Sequence, residues 1–136
     1  MKKHITAIIA TGILVFVAMA CNFSTANVSD ITFGKNKDAE TSTTTFKTGE
    51  DIFAMVTAAN MPSGKYKMDW KVTYDNVAGH TKGENFGGKP MDFEGSAKLW
   101  TQFSASEAGD YKVEAKLTDD TGKEVGNKSG IVKVTE

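Results

Sequence analysis

The chain contains no arginine: all 16 of its basic residues are lysine. The planar two-pronged guanidinium contact to phosphate or carboxylate is therefore outside its chemistry. It has one cysteine, Cys21, so no disulfide can close within the chain. Its two histidines are His4 and His80, which excludes a histidine-rich metal cluster and leaves little from which to build a serine-type triad. The 16 lysines face 17 acidic residues for a net charge of −1, a balance without the basic excess that nucleic acid demands. Prolines number only two, and no long charge run or low-complexity tract suggests disorder.

What is present begins with an address. Lys2 and Lys3 precede an apolar run from Ile5 to Ala20, and small residues at Ala18 and Ala20 flank Met19 directly before Cys21. Charged start, apolar middle and small-residue end are the layout of a secretory signal peptide, and the run falls short of the roughly 20 residues of a spanning helix. Ala18-x-Ala20 suits an ordinary signal peptidase. Ala18-Met19-Ala20-Cys21 also resembles the bacterial lipobox, although Ala18 and Met19 stand where that motif usually has leucine and a small residue. The resemblance implies that Cys21 is acylated on sulfur and becomes the new N-terminus, holding the protein on a membrane of the cell envelope with its domain facing the periplasm or the exterior. Two or three chains at about 0.8 kcal/mol per buried CH₂ make such a tether durable. Residues 1–20 are thus expected as leader, 21–27 as tether and 28–136 as one domain. Loss of Lys2 and Lys3 with the leader takes the net charge from −1 to −3.

The domain reads as strands. Tyr66, Met68, Trp70, Val72 and Tyr74 alternate with Lys67, Asp69, Lys71 and Thr73, a period of two that marks a half-buried strand. Tyr111 to Leu117 and Ala97 to Phe103 alternate likewise, and Asp51 to Ala59 is a nearly continuous apolar run suited to a central strand. Val28–Phe33 and Gly130–Thr135 read as the first and last strands, with Thr41 to Thr45 favouring β structure or exposed loop. The glycine-rich stretch from Asp75 to Glu94 is expected as a long connection with one or two minor strands. About seven short strands without an amphipathic helix predict an all-β, antiparallel β-sandwich.

Glu107-Ala108-Gly109-Asp110-Tyr111-Lys112-Val113 resembles the strand F signature of immunoglobulin-like domains, acidic-x-Gly-x-Tyr-x-Cys, with valine in place of cysteine. The resemblance implies that Tyr111 returns its hydroxyl to the backbone just upstream and that Trp70 is the core tryptophan of strand C. It also implies Ala54 or Val56 at the strand B position where many relatives carry the second cysteine. Cysteine-free sandwiches of this kind are familiar among bacterial immunoglobulin-like and fibronectin-like modules.

Few residues suggest chemistry. His80 sits in the glycine-rich connection and is expected to be solvated. Asp119, Asp120 and Glu124 cluster around Gly122, an arrangement that can hold Ca²⁺ when carboxylates converge, but Asp-Asp-Thr-Gly is also ordinary hairpin sequence. Asp92 and Glu94 are two acids without a supporting pocket motif. Alternation puts Trp100 opposite Leu99 and Phe103, where it is either an exposed platform or covered by the segment carrying Phe86 and Phe93. Covering is the expectation. Catalytic residues and cofactors are not expected. The sequence points to a lipid-anchored, non-catalytic binding or scaffold module, with a possible ligand or partner surface at Trp100, His80 and Phe86. An envelope protein or a glycan is the expected partner besides the membrane, and a carbohydrate-binding or adhesive role is the alternative. A secreted enzyme or inhibitor is the further one.

Overall fold

The computed structural model describes residues 26–136, so Cys21, the expected leader and most of the expected tether lie outside the described residues. Ten strands follow in chain order: β1 (Asn27–Val28), β2 (Thr32–Gly34), β3 (Thr45–Lys47), β4 (Asp51–Ala59), β5 (Lys65–Val77), β6 (Asn85–Gly87), β7 (Pro90–Glu94), β8 (Ala97–Ser104), β9 (Gly109–Asp119) and β10 (Glu124–Thr135). In one sheet β4 is central, with β8 along one edge and β1 and β2 sharing the other. In the second sheet β5 lies between β9 and the pair β6 and β7, and β10 joins β9 to β3. The expected all-β sandwich is the architecture, with one pairing of different sense: β3 runs parallel to β10.

The alternating residues of both sheets meet between them. Met68, Trp70 and Val72 of β5, and Tyr111, Val113, Ala115 and Leu117 of β9, face Ile52, Ala54, Val56 and Leu99 from the other sheet, and all are buried. Ala115 lies directly across from Trp70, so a methyl group makes room for an indole.

Three elements differ from the sequence reading. The first strand is two short ones, because the chain steps away at Ser29; Ser29 Oγ accepts the Thr57 N–H at 2.8 Å and keeps that bond satisfied through the gap. The stretch from Asp75 to Glu94 holds the two minor strands expected, but they are not a free connection. β5 continues to Val77 past a bulge between Tyr74 and Asn76, and β6 and β7 both return along its free edge. The bulge shifts the in-out phase and so ended the visible alternation at Tyr74. The last strand begins at Glu124, not Gly130. Its glycines disguised it. A Cβ on Gly126 would stand 2.8 Å from Val28 Cγ2, and one on Gly130 would stand 2.8 Å from the Phe33 ring, so these positions are where the first strands press onto β10.

Two carboxylates fix turns. Glu50 accepts the Lys47 N–H at 2.7 Å and the Lys35 ammonium at 3.0 Å between β3 and β4. Asp119 Oδ1 accepts from the Thr121 hydroxyl at 2.6 Å and from the Thr121 and Lys123 N–H groups, each at 2.9 Å, in the β9–β10 hairpin. The backbone bond from Lys47 is the main cause holding Glu50 below the ordinary glutamate value of 4.5, and the Thr121 hydroxyl is the main cause holding Asp119 below the aspartate value of 3.8. Carboxyls lowered by folding contribute stability that is complete above their unfolded values and is lost as pH falls through the folded ones. Chemical denaturation at a series of pH values should therefore show these two contributions constant from pH 8 down to about 5 and declining below about 4.5. Glu50→Gln should flatten part of that decline; an unchanged acid limb would contradict the assignment.

Candidate functional site

The tyrosine of the strand F signature does what the resemblance implied. Tyr111 is fully buried, and its hydroxyl donates to the Glu107 carbonyl four residues upstream at 2.9 Å. Burial raises its hydroxyl pKa above the ordinary 10.0, as do the neighbouring Tyr74 and the Glu107 carboxylate. Tyr111→Phe removes the donor and leaves a part-buried carbonyl unpaired, so denaturant titration should show a loss of about 1 kcal/mol. No loss at all would mean that water satisfies the carbonyl equally well.

At the same end of the sandwich His80 departs from expectation. It is not freely solvated. Its ring stacks on Tyr74 with centroids 3.7 Å apart and planes 5° from parallel, Nε2 lies 2.7 Å from Glu107 Oε2, and Nδ1 lies 3.6 Å from Glu84 Oε2. The two carboxylates sit on opposite ring nitrogens, so they clamp the imidazole and do not converge with it on a common point. Burial is the main cause raising the Tyr74 hydroxyl pKa, followed by Glu107 and Glu84. Phe86 belongs here too: it meets Tyr111 at 5.1 Å, Tyr74 at 5.3 Å and Phe103 of the other sheet at 6.0 Å, all edge-on. These edge-to-face contacts tie the two sheets together. Among the three residues expected as a surface, His80 and Phe86 are thus brought together as packing, away from Trp100.

Trp100 lies on the outer face of the β4–β8 sheet and keeps 37% of its surface exposed. The expectation that the 75–94 segment covers it is corrected. Phe86 turns inward to the cluster just described, and Phe93 stacks on Tyr66 at 5.6 Å in the second sheet. Around Trp100 the structure gathers residues the sequence reading did not single out. Met55 is its direct cross-strand partner, and Phe53, one pair along on the same face, tilts against it at 5.7 Å. Lys37, from the turn after β2, holds its ammonium 6.0 Å from the ring centroid. That turn folds over the sheet so closely that a Cβ on Gly34 would stand 2.6 Å from Ala39 Cβ and 3.3 Å from Met55 Cε. The alternation of β8 was signal enough for the outward direction of Trp100, and the lysine-rich and acidic stretch from Gly34 to Glu40 reads as a turn; nothing local signalled that this turn folds over the Trp100 face.

At the opposite end the acidic candidates are accounted for by structure. Asp119 is committed to its hairpin as described, and Glu124 lies 3.9 Å from Lys116. Asp120 lines a cleft of about 700 Å³ with Asp92, Phe93 and Glu94. Register sets Asp92 across from Lys67 and Glu94 across from Lys65, a cross-strand alternation of charge and not a paired acid and base. Among the described residues no three His, Cys, Asp or Glu side chains are grouped so that they could hold a metal ion.

Fold and site together define an immunoglobulin-like β-sandwich domain that presents one open aromatic face. No family model matches the sequence, and no curated protein matches it. Solved structures match in fold. The soluble domain of PmoD from a Methylocystis species superimposes with a TM-score of 0.53 at 10% identity, over 83% of this chain and 94% of that one. A CARDB domain from Pyrococcus furiosus gives 0.48 at 10% identity over 83% and 96%, and the PKD domain of an M14-like peptidase from a Thermoplasmatales archaeon gives 0.46 at 15% over 82% and 93%. At 10% identity the likeness to the PmoD domain is one of fold alone.

Proposed function

We propose that this protein is a lipid-anchored component of the bacterial cell envelope, tethered through Cys21, whose sandwich acts as a non-catalytic binding module through the Trp100 face. The observation that carries the reading is the exposure of Trp100 beside the half-buried Phe53 on the outer face of the sheet, where its cross-strand partner Met55 is buried. A large aromatic left at 37% exposure forgoes burial of an indole, a cost that a ligand or partner recovers on binding. Among the described residues the other exposed large apolar side chain is Ile131, on β10 of the second sheet. The anchor is supported by the sequence around Cys21, and the tether by the start of strand pairing at Asn27, six residues after it.

Two measurements test the reading. Intact mass of the protein from native membranes should show an N-terminal Cys21 carrying acyl chains, with Cys21→Ser recovered in the soluble fraction; a chain starting elsewhere, or an unmodified Cys21, would sink the anchor. For the binding face, photo-crosslinkers placed in the full-length protein at Gln102, beside Trp100, and at Lys116, on the outer face of the other sheet, should give adducts in intact cells at the first position and not the second. Equal labelling at both would remove the Trp100 face as the working surface.

A further inference from the structure

We infer that the ligand of the Trp100 face is an anionic glycan, a sugar chain bearing carboxylate, sulfate or phosphate groups; this rests on the binding-module reading above. The face is small and mixed in chemistry. Next to the Trp100–Phe53 pair runs a shallow groove of about 340 Å³ whose lining includes Asp30, Thr32, Met55, Thr57 and Lys98. Thr57 is the cross-strand partner of Lys98, Thr32 that of Met55, and Gln102 that of Phe53, so hydroxyl, amide and ammonium groups ring a single indole. A protein partner at a stable interface covers roughly 800 Å² with a continuous apolar core, which one half-open tryptophan does not supply. A sugar ring needs less. Its C–H face rests on the indole while its hydroxyls meet short polar side chains at the edge.

The charges decide which sugars. Of the acids near this face, Asp30 pairs with Lys128 at 3.3 Å and Glu50 with Lys35 at 3.0 Å, while Asp38 and Glu40, on the turn that carries Lys37, are exposed without an ion pair among the described residues and line a separate hollow with Lys35 and Asn36. Among the described residues, no carboxylate lies within ion-pair distance of Lys98 or Lys37. Lys37 is held only by the ring, at a distance near the outer limit for a cation–π contact, so it is free to swing to an anion seated on the indole. Two uncommitted ammonium groups thus flank the exposed tryptophan of a chain whose net charge is −1. Asp51 lies at the end of β4, opposite Ser104, four pairs beyond the Trp100–Met55 row.

The test uses the acylated protein in detergent micelles, titrated with oligogalacturonate, with a sulfated galactan oligomer, and with a neutral galactan oligomer of equal length, following tryptophan fluorescence and calorimetric heat. The expected result is binding of one or both charged oligomers, at least fivefold tighter than the neutral one and weakened by added salt. Trp100→Ala should abolish it in protein that still unfolds in one cooperative transition above the assay temperature, and Trp100→Phe, which keeps an aromatic ring on the face, should retain part of it. Lys37→Gln with Lys98→Gln should weaken the charged oligomer roughly fivefold to tenfold and leave the neutral one unaffected. Equal affinity for neutral and charged oligomers would overturn the anionic preference. Binding of no oligomer would overturn the glycan assignment, and the Gln102 crosslinking result then decides separately whether the face binds something else.

Discussion

Trp70→Ala is expected to lower the unfolding free energy by about 3–5 kcal/mol, the range for removing a large aromatic side chain from a packed core. Trp70 keeps only 5% of its surface accessible and stands in the middle of β5, the strand that joins β9 to both β6 and β7. Its cross-strand partner Ala115 is too small to fill the space left behind. Its indole N–H is buried without a hydrogen-bond partner. Leaving such a donor unpaired costs about 1–3 kcal/mol in the wild type, so Trp70→Phe, which removes the N–H with part of the ring, should lose distinctly less than Trp70→Ala. Urea denaturation of the three proteins measures both differences. A loss below about 1.5 kcal/mol for Trp70→Ala would mean that the core collapses around the site and that Trp70 is not its centre.

Gly109→Ala should cost about 2–4 kcal/mol, from backbone strain and steric overlap together. Gly109 holds φ at +145°, and a Cβ there would stand 2.5 Å from the Asn76 carbonyl oxygen and 2.7 Å from Val77 Cγ2. Gly95 is the control: its φ is +63°, but no atom lies within 4 Å of where its Cβ would be. Gly95→Ala meets the conformational penalty alone, on the order of 1 kcal/mol. If the two substitutions cost the same, the approach of β9 to the bulged end of β5 is not what requires glycine. The glycine of the strand F signature is thereby explained by contact: β9 starts against the backbone at Asn76 and Val77, and only a residue without Cβ fits.

Much of the architecture was legible because alternation over β5, β8 and β9 reports directly which side chains face a core. Trp70 and Tyr111 could be placed from such patterns, and the Tyr111 hydroxyl bond lies only four residues away in the chain. The elements missed were those whose pattern is broken by a tertiary demand. β5 beyond Tyr74 changes phase at a bulge, and β10 before Gly130 carries Gly126 where Val28 approaches. Neither the bulge nor the approaching strand is visible in the local sequence. The same holds for the candidate site. Outward placement of Trp100 followed from β8, but whether anything covers that face depends on where Phe86 and Phe93 turn, and both turn to other contacts.

By itself, then, the sequence determined the composition of the strands and the identity of the core tryptophan and tyrosine, since each depends on residues near one another in the chain. The tertiary structure alone decided that Trp100 stays open beside Phe53 and Lys37, and that His80 is clamped by a carboxylate 27 residues away. Periodicity fixes the face of a strand on which a side chain lies. What rests on that face is chosen by the packing of distant segments, and here they left one indole and two uncommitted lysines to solvent.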